Sequence, residues 1–270
     1  CEFAQERKDT GDLAARRGLE YEVYDAFQKE SFFDEVYSIC PYSNKWLNSL
    51  KLGREYKDIF YPFHEGLIPE STEKLYDVIY HGGIHGKEHL ECIRAMLNFN
   101  YRYCTMTHNI RNNYGQSLTG QCLRFATNTN LGFKDKIQLI AQTKISVCYN
   151  LVHLAPEHVP GIQSYDDWQS NEAFSEVGKW NVMPQFKTRM HEAAISKTLN
   201  LVLKDSWNVA EKYYEPEKEF VYFENAHDLE NKIRIISQNW KDYEPVVEAA
   251  YKKALNYTTS RFVAQIRGAV

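Results

Sequence analysis

The sequence predicts an α/β protein with a Rossmann-like parallel sheet flanked by helices. Three observations carry this. Residues 76–80 form an apolar strand that runs into a glycine-rich turn, His81-Gly82-Gly83-Ile84-His85-Gly86, and then a helix over 87–98. Residues 144–150, Lys-Ile-Ser-Val-Cys-Tyr-Asn, read as a strand buried on both faces, as in a parallel sheet. Residues 183–225 hold a helix, a second buried strand, a loop and a short alternating strand.

Taken in order, residues 12–27 are charged with scattered Leu, Tyr, Val and Phe, which fits one or two surface helices. Residues 33–40 read as a strand, 41–47 as a helix with Pro41 in its first turn, and 59–63 as a strand ended by proline. A linker over 65–74 follows, with Pro69 inside it. Beyond the glycine turn and its helix, 102–107 is a candidate strand and Phe125-Ala126-Thr127 a short one. A helix is expected over 130–143, capped near Asn130. Residues 151–181 carry Pro156, Pro160 and Gly161 and are too long for a mere connector, so they predict a cleft-lining or lid segment.

Phe186, Met190, Ala193, Ala194 and Leu199 fall roughly at helical spacing and predict an amphipathic helix over 187–196. Strands at 199–203 and 220–223 flank a polar, aromatic loop. Its Trp207, Tyr213 and Tyr214 suit stacking on a base or sugar, and equally suit ordinary packing. Helices over 227–237, 245–255 and 256–270 complete the chain.

Composition narrows the function classes. A chain of 270 residues, 43% hydrophobic and 25% charged, has globular composition and can bury a substantial core in one large or two ordinary domains. A formal charge of -4 argues against a general nucleic-acid binder. No apolar run reaches the ~18 residues of a membrane span, and no signal peptide is visible. Six cysteines without C-x-x-C or metal-finger spacing read as buried, reduced thiols of a cytoplasmic protein. The chain begins at Cys1, which predicts a fragment of something longer.

The charges mark a candidate site. Lys187, Arg189 and Glu192 cluster at the start of the 187–196 helix, where free backbone N–H groups and the dipole favour anions. Two cations there suit a diphosphate. The ionised Glu192 suits ribose hydroxyls, because a carboxylate accepts hydrogen bonds and donates none. An ordinary mixed-charge surface helix is the plainer reading of these residues taken alone. Gly82 and Gly83 offer backbone amides to a ligand at the turn, with His81, Lys87 and Asn150 as possible cleft residues. His81 suits a donor contact or a general base, beside the blander role of a structural histidine.

The fingerprint G-x-G-x-x-G, the P-loop and G-x-S-x-G are all absent, which disfavours a dehydrogenase, a P-loop kinase and an α/β-hydrolase. His85 and His89 share a helical face but lack the H-E-x-x-H order, so no metal site is expected.

The succession of motifs resembles the C-terminal half of a GT-B glycosyltransferase, in particular the group related to the CgeB proteins. The resemblance rests on Arg189-Met190-His191-Glu192-Ala193-Ala194, on residues 199–205 ending in Asp205, and on Glu217-Lys218-Glu219-Phe220-Val221-Tyr222-Phe223. Asn225 to Ile233, with Asp228-Leu229 and Lys232-Ile233, completes it. Two departures stand out: the glycine usual after the helix is Lys197 or Thr198, and the first Glu of the E-x7-E pair falls on Pro184.

The resemblance implies a GT-B-type fold with an incomplete N-terminal domain. Residues 1–74 would be a remnant of the acceptor domain and linker, 75–243 the nucleotide-sugar-binding domain, and 244–270 helices packing back on the N-terminal part. It implies glycosyl transfer from a nucleotide-diphosphate sugar to an acceptor hydroxyl, with no cofactor and no metal. Gly82, Gly83, Lys187, Arg189 and Glu192 would bind the donor, and the acid–base group would lie on the N-terminal domain. The alternative is a non-catalytic module that binds a nucleotide or glycan.

Overall fold

The computed structural model describes residues 35–39, 44, 48, 55–70, 73–83, 87–104, 131–153, 182–205 and 207–268. The strand expected at Phe125-Ala126-Thr127 and most of the segment at 151–181 lie outside these, as do the helices expected before residue 33. The chain forms two compact units, one of Cys1–Tyr61 with His153–Met183, the other of Pro62–Val152 with Pro184–Val270.

In the first unit, β1 (Val36–Ser38) pairs in parallel with β2 (Tyr56–Asp58). The second strand lies just before the expected 59–63. Asn48 fixes it, accepting from the Tyr56 N–H at 2.7 Å and donating to the Tyr56 carbonyl at 3.0 Å. Pro62 has no N–H to continue a ladder. Phe63, in the second unit, makes a single bridge to Thr258 instead.

The second unit is built on five parallel strands: β3 (Tyr76–His81), β4 (Tyr101–Cys104), β5 (Thr143–Cys148), β8 (Leu199–Leu203) and β9 (Val221–Phe223), in the order β4-β3-β5-β8-β9. Between β5 and β8 in the chain, β6 (Leu151–His153) and β7 (Val182–Pro184) form a separate two-stranded sheet. The connecting helices are α1 (Lys87–Met96), α2 (Phe133–Ala141) and α3 (Arg189–Ile195). After β9 come α4 (Ala226–Gln238), α5 (Trp240–Ala254) and α6 (Thr259–Ile266). Gly132 rather than Asn130 precedes α2.

Strand alternation sorts the two faces of the sheet. Val78, Tyr80, Ile145, Val147, Leu199, Leu201 and Leu203 pack with Ile93 and Met96 of α1 and Leu229, Ile233 and Ile236 of α4. Asn225 caps α4 by accepting from the Asp228 N–H at 3.0 Å. The other face carries His81, Ser146 and Asn200, and all three are buried. Here α3 packs closely because Ala193 and Ala194 are small and wholly buried. Buried polar groups must find partners. Asn200 donates to the Met190 carbonyl at 2.9 Å, binding β8 to α3.

The end of α3 explains one departure from the family pattern. Lys197 sits at φ 50°, with its N–H bonded to the Ala194 carbonyl and the Thr198 N–H bonded to that of Ala193. This is a Schellman cap, whose left-handed position glycine usually takes. Lys74 braces the same end of the sheet, donating to the carbonyls of Ala141 (2.7 Å), Thr143 (2.9 Å) and Lys197 (2.7 Å) and to Thr198 Oγ1 (3.2 Å). Burial pulls Lys74 down to about 7, so it meets the negative pole of α2 and α3 as a full cation only below that pH.

The C-terminal helices belong to the second unit: α5 packs on α3 and β8. Thr258 to Ser260 is tied to Phe63 and Glu65, with Thr259 N–H donating to the Phe63 carbonyl at 2.8 Å. Among the described residues, no helix is long and apolar enough to cross a membrane.

Candidate functional site

The order β4-β3-β5-β8-β9 reverses direction between β3 and β5. In doubly wound sheets, ligands bind outside the carboxyl ends of the strands at such a switch point. His81 is the last residue of β3, and the Gly82-Gly83 turn follows it. Gly82 adopts φ 134°, a conformation that a side chain would strain. A Cβ there would also stand 2.5 Å from Arg189 Nη2. The glycine therefore lets the Arg189 guanidinium lie directly on the turn.

Arg189 is held there by Tyr80. Its Nη1 donates to the Tyr80 hydroxyl at 2.5 Å, and the guanidinium stands 5.0 Å from the ring centroid. Burial pushes the Tyr80 phenol up, so it stays protonated and donates in turn to the Gly83 carbonyl at 2.7 Å. Tyr103 donates to the Gly82 carbonyl at 3.0 Å. Among the described residues no carboxylate forms an ion pair with Arg189.

The nearby carboxylate, Glu192, has other partners. Its Oε2 meets His81 Nδ1 at 3.1 Å and its Oε1 meets Lys136 Nζ at 2.8 Å. Burial favours the neutral acid, but the His81 hydrogen bond and the Lys136 charge outweigh it and hold the carboxyl well below its usual range. Burial keeps His81 neutral at pH 7 against the pull of Glu192. The tautomer follows from the partners: Nδ1–H donates to the carboxylate, so Nε2 accepts from the Ser146 hydroxyl at 3.0 Å. Both ring nitrogens are thus engaged within the protein, and His81 orients Glu192.

Lys136 stands over the Phe133 ring at 4.0 Å. That accounts for an aromatic ring left 49% exposed on α2.

The remaining candidates have distinct places. Lys187 lies just before α3 and donates to Gln185 Oε1 at 2.5 Å. The helix begins at Arg189, two residues later than expected, because Met190 N–H turns back to the Lys187 carbonyl in a tighter i to i−3 bond. Asn150 is wholly buried. Its Oδ1 accepts from Cys148 Sγ at 3.0 Å and its carbonyl from Gln185 N–H at 2.8 Å, so it anchors the approach to α3. Lys87 is the first residue of α1, and His85 lies outside the described residues. His89 is buried, stacked on Tyr149 at 4.1 Å. No group of three potential metal ligands occurs among the described residues.

Of the loop aromatics, Tyr213 and Tyr214 are core residues. With Phe186 and Tyr257 they surround His191, whose Nδ1 lies 2.6 Å from the Tyr214 hydroxyl. Burial pushes His191 down to about 3.

A cleft of about 560 Å³ opens at the amino ends of the strands, lined by Lys74, Lys197, Trp240, Glu244, Glu248 and Tyr251 among others. None of the expected site residues lies there.

Sequence reasoning missed Lys136, Ser146 and Tyr80. Ser146 and Asn200 did carry a signal, each a polar residue inside an apolar strand segment. Lys136 carried none, since a lysine in the first turns of an amphipathic helix reads as solvated.

The fold and site define a doubly wound α/β domain whose switch point holds a cation without an ion-pair partner among the described residues. Residues 74–267 match the model of the glycosyl transferase-like family, and the chain belongs to that family. No curated protein matches the sequence.

Among solved structures, Anabaena HepE with UDP-glucose superposes with a TM-score of 0.56 at 14% identity, covering 88% of this chain and 64% of that one. Sucrose-phosphate synthase from Thermosynechococcus elongatus gives 0.62 at 12%, covering 95% and 62%. The pneumococcal O-GlcNAc transferase GtfA with UDP and GlcNAc gives 0.56 at 10%, covering 92% and 47%. These neighbours are GT-B glycosyltransferases, and the likeness establishes the fold. The chain spans less than two thirds of each of them.

Proposed function

We propose that the second unit binds the nucleoside diphosphate of a nucleotide-sugar donor, and that the protein transfers the glycosyl group to an acceptor hydroxyl. The observation that carries this is Arg189, held on the Gly82-Gly83 turn by Tyr80 without an ion-pair partner among the described residues. A diphosphate supplies the missing charge. In the transfer, the acceptor oxygen bonds to the anomeric carbon as the bond to the diphosphate breaks. The acceptor's proton passes to a base, and the diphosphate departs with the bonding electrons. Arg189, with Lys187, stabilises that departing charge, and a charge-assisted hydrogen bond is worth most where it meets charge that develops in the transition state. Glu192 receives the ribose.

HepE and GtfA were solved with UDP or a UDP-sugar, which supports uridine as the first base to test. Family membership favours transfer over a purely binding role. The buried free thiols of Cys104 and Cys148 fit a reducing compartment such as the cytoplasm.

The test is a thermal-shift series with UDP, GDP, ADP and TDP, with and without Mg²⁺. A ligand that binds only the folded state raises the Tm by mass action, about 2.7 kcal/mol at a hundred times Kd. One diphosphate should raise it without Mg²⁺, and in Arg189→Gln the same concentration should give about half the stabilisation or less. No shift with any of the four would refute the reading.

A further inference from the structure

A carboxylate offers about four acceptor positions. In Glu192, one position on each oxygen is taken, by His81 at 3.1 Å and Lys136 at 2.8 Å. Two remain, one per oxygen, and the side chain keeps 11% of its surface open. Two acceptors fixed side by side match a vicinal diol, which presents two hydroxyl donors at similar spacing. The fixing comes from both sides of the carboxylate. Ser146 on β5 sets His81, which sets Oε2. Phe133 on α2 carries Lys136 at 4.0 Å, which sets Oε1. Three helices and strands beyond α3 itself therefore define where the two free acceptor positions point.

We propose that Lys136 is a positioning residue that makes this site select ribonucleotides over 2′-deoxyribonucleotides, by holding Glu192 so that both of its free acceptors face the diol. The proposal rests on the donor-site reading above. The Lys136 ammonium touches no substrate; it prevents Glu192 from turning so that only one oxygen is presented. Without it, the carboxylate keeps the His81 contact alone and rotates about it. A single remaining hydroxyl then satisfies it nearly as well as two.

The test is calorimetric titration of the protein with UDP, GDP and ADP, each beside its 2′-deoxy counterpart. A hydrogen bond to a charged group is worth about 1.5–3 kcal/mol, so the unaltered protein should prefer the ribonucleotide by roughly 10- to 100-fold. In Lys136→Met the preference should shrink to roughly two- or threefold, through loss of ribonucleotide affinity with the deoxy affinity nearly constant. Lys136→Arg, which keeps the cation, should restore it. Phe133→Ala alters only an exposed ring and should reduce the preference partway, which keeps the test open if Lys136→Met fails to fold.

An unchanged preference in Lys136→Met, or in Phe133→Ala where the former is unfolded, overturns the role of Lys136. Equal binding of both nucleotides by the unaltered protein also overturns it and leaves the donor site standing. No binding of any nucleoside diphosphate overturns the donor site, and this inference with it.

Discussion

Acidification should weaken this protein through its buried histidines before its carboxylates protonate. His191 is the cleanest case. Its ring is 1% exposed, enclosed by Phe186, Tyr213, Tyr214 and Tyr257, and its folded-state value lies at about 3 because burial disfavours the charged form. In the unfolded chain it titrates near ~6.5. Below that pH the unfolded state binds a proton that the folded state refuses, so stability falls as pH drops. The stability is fully present above pH ~6.5 and is lost progressively on the way down to about 3. Between pH ~7 and ~5 this amounts to about 2 kcal/mol, from 1.36 kcal/mol for each of about 1.4 units of proton-binding difference.

His81, also kept neutral by burial, acts in the same direction. The assay is urea denaturation at pH 7, 6 and 5 on the protein and on His191→Phe. At a urea slope of about 2 kcal/mol per M, the His191 share alone lowers the midpoint by roughly 1 M between the outer two conditions. The variant leaves the Tyr214 hydroxyl without its partner and should lose about 1 kcal/mol at every pH, while shedding that share of the pH slope. Equal pH slopes in the two proteins would refute the reasoning.

Other changes separate the site from the scaffold. Gly82→Ala should cost roughly 1–3 kcal/mol in stability through backbone strain and should also displace the Arg189 guanidinium, so UDP affinity falls with the Tm. Arg189→Gln should leave the Tm nearly unchanged and weaken UDP by roughly 10- to 100-fold in calorimetry, since it removes a charge-assisted contact. Lys74→Met should do the reverse: several buried carbonyls lose their donor, a loss of about 2–4 kcal/mol in urea titration, with UDP affinity preserved. Asn225→Ala removes the cap of α4 and should cost about 1 kcal/mol by the same measurement.

The sheet was legible because its strands are buried on both faces, so runs such as 76–80, 144–150 and 199–203 stand out against polar surroundings. Short strands flanked by proline were not. The run 59–63 is apolar enough for a strand, yet the side chain of Asn48 fixed the ladder at Tyr56 instead, a choice made by one tertiary hydrogen-bond pair. The two-unit division was equally illegible, because residues 153–183 join a unit distant in sequence.

At the site, the charges of the 187–192 segment and the glycine turn were visible as types, and the structure brings Gly82 and Arg189 together. The partners of Glu192 were not visible. Lys136 lies 56 positions away, and His81 became its orienting group only because the switch point sets β3 beside β5. Lys197 shows a third kind of illegibility: it occupies a glycine position at φ 50°, and composition alone hides that its backbone still plays the glycine's part.

The central claim is that a nucleoside diphosphate binds where Arg189 meets the Gly82-Gly83 turn. The most direct test is amide hydrogen exchange with and without saturating UDP, read peptide by peptide. Bound diphosphate should slow exchange in peptides covering 81–83 and 187–192, and the effect should be much smaller in Arg189→Gln at the same UDP concentration. Protection confined to the cleft around Lys74 and Trp240, or none anywhere at a UDP concentration that fills the site in calorimetry, would contradict it.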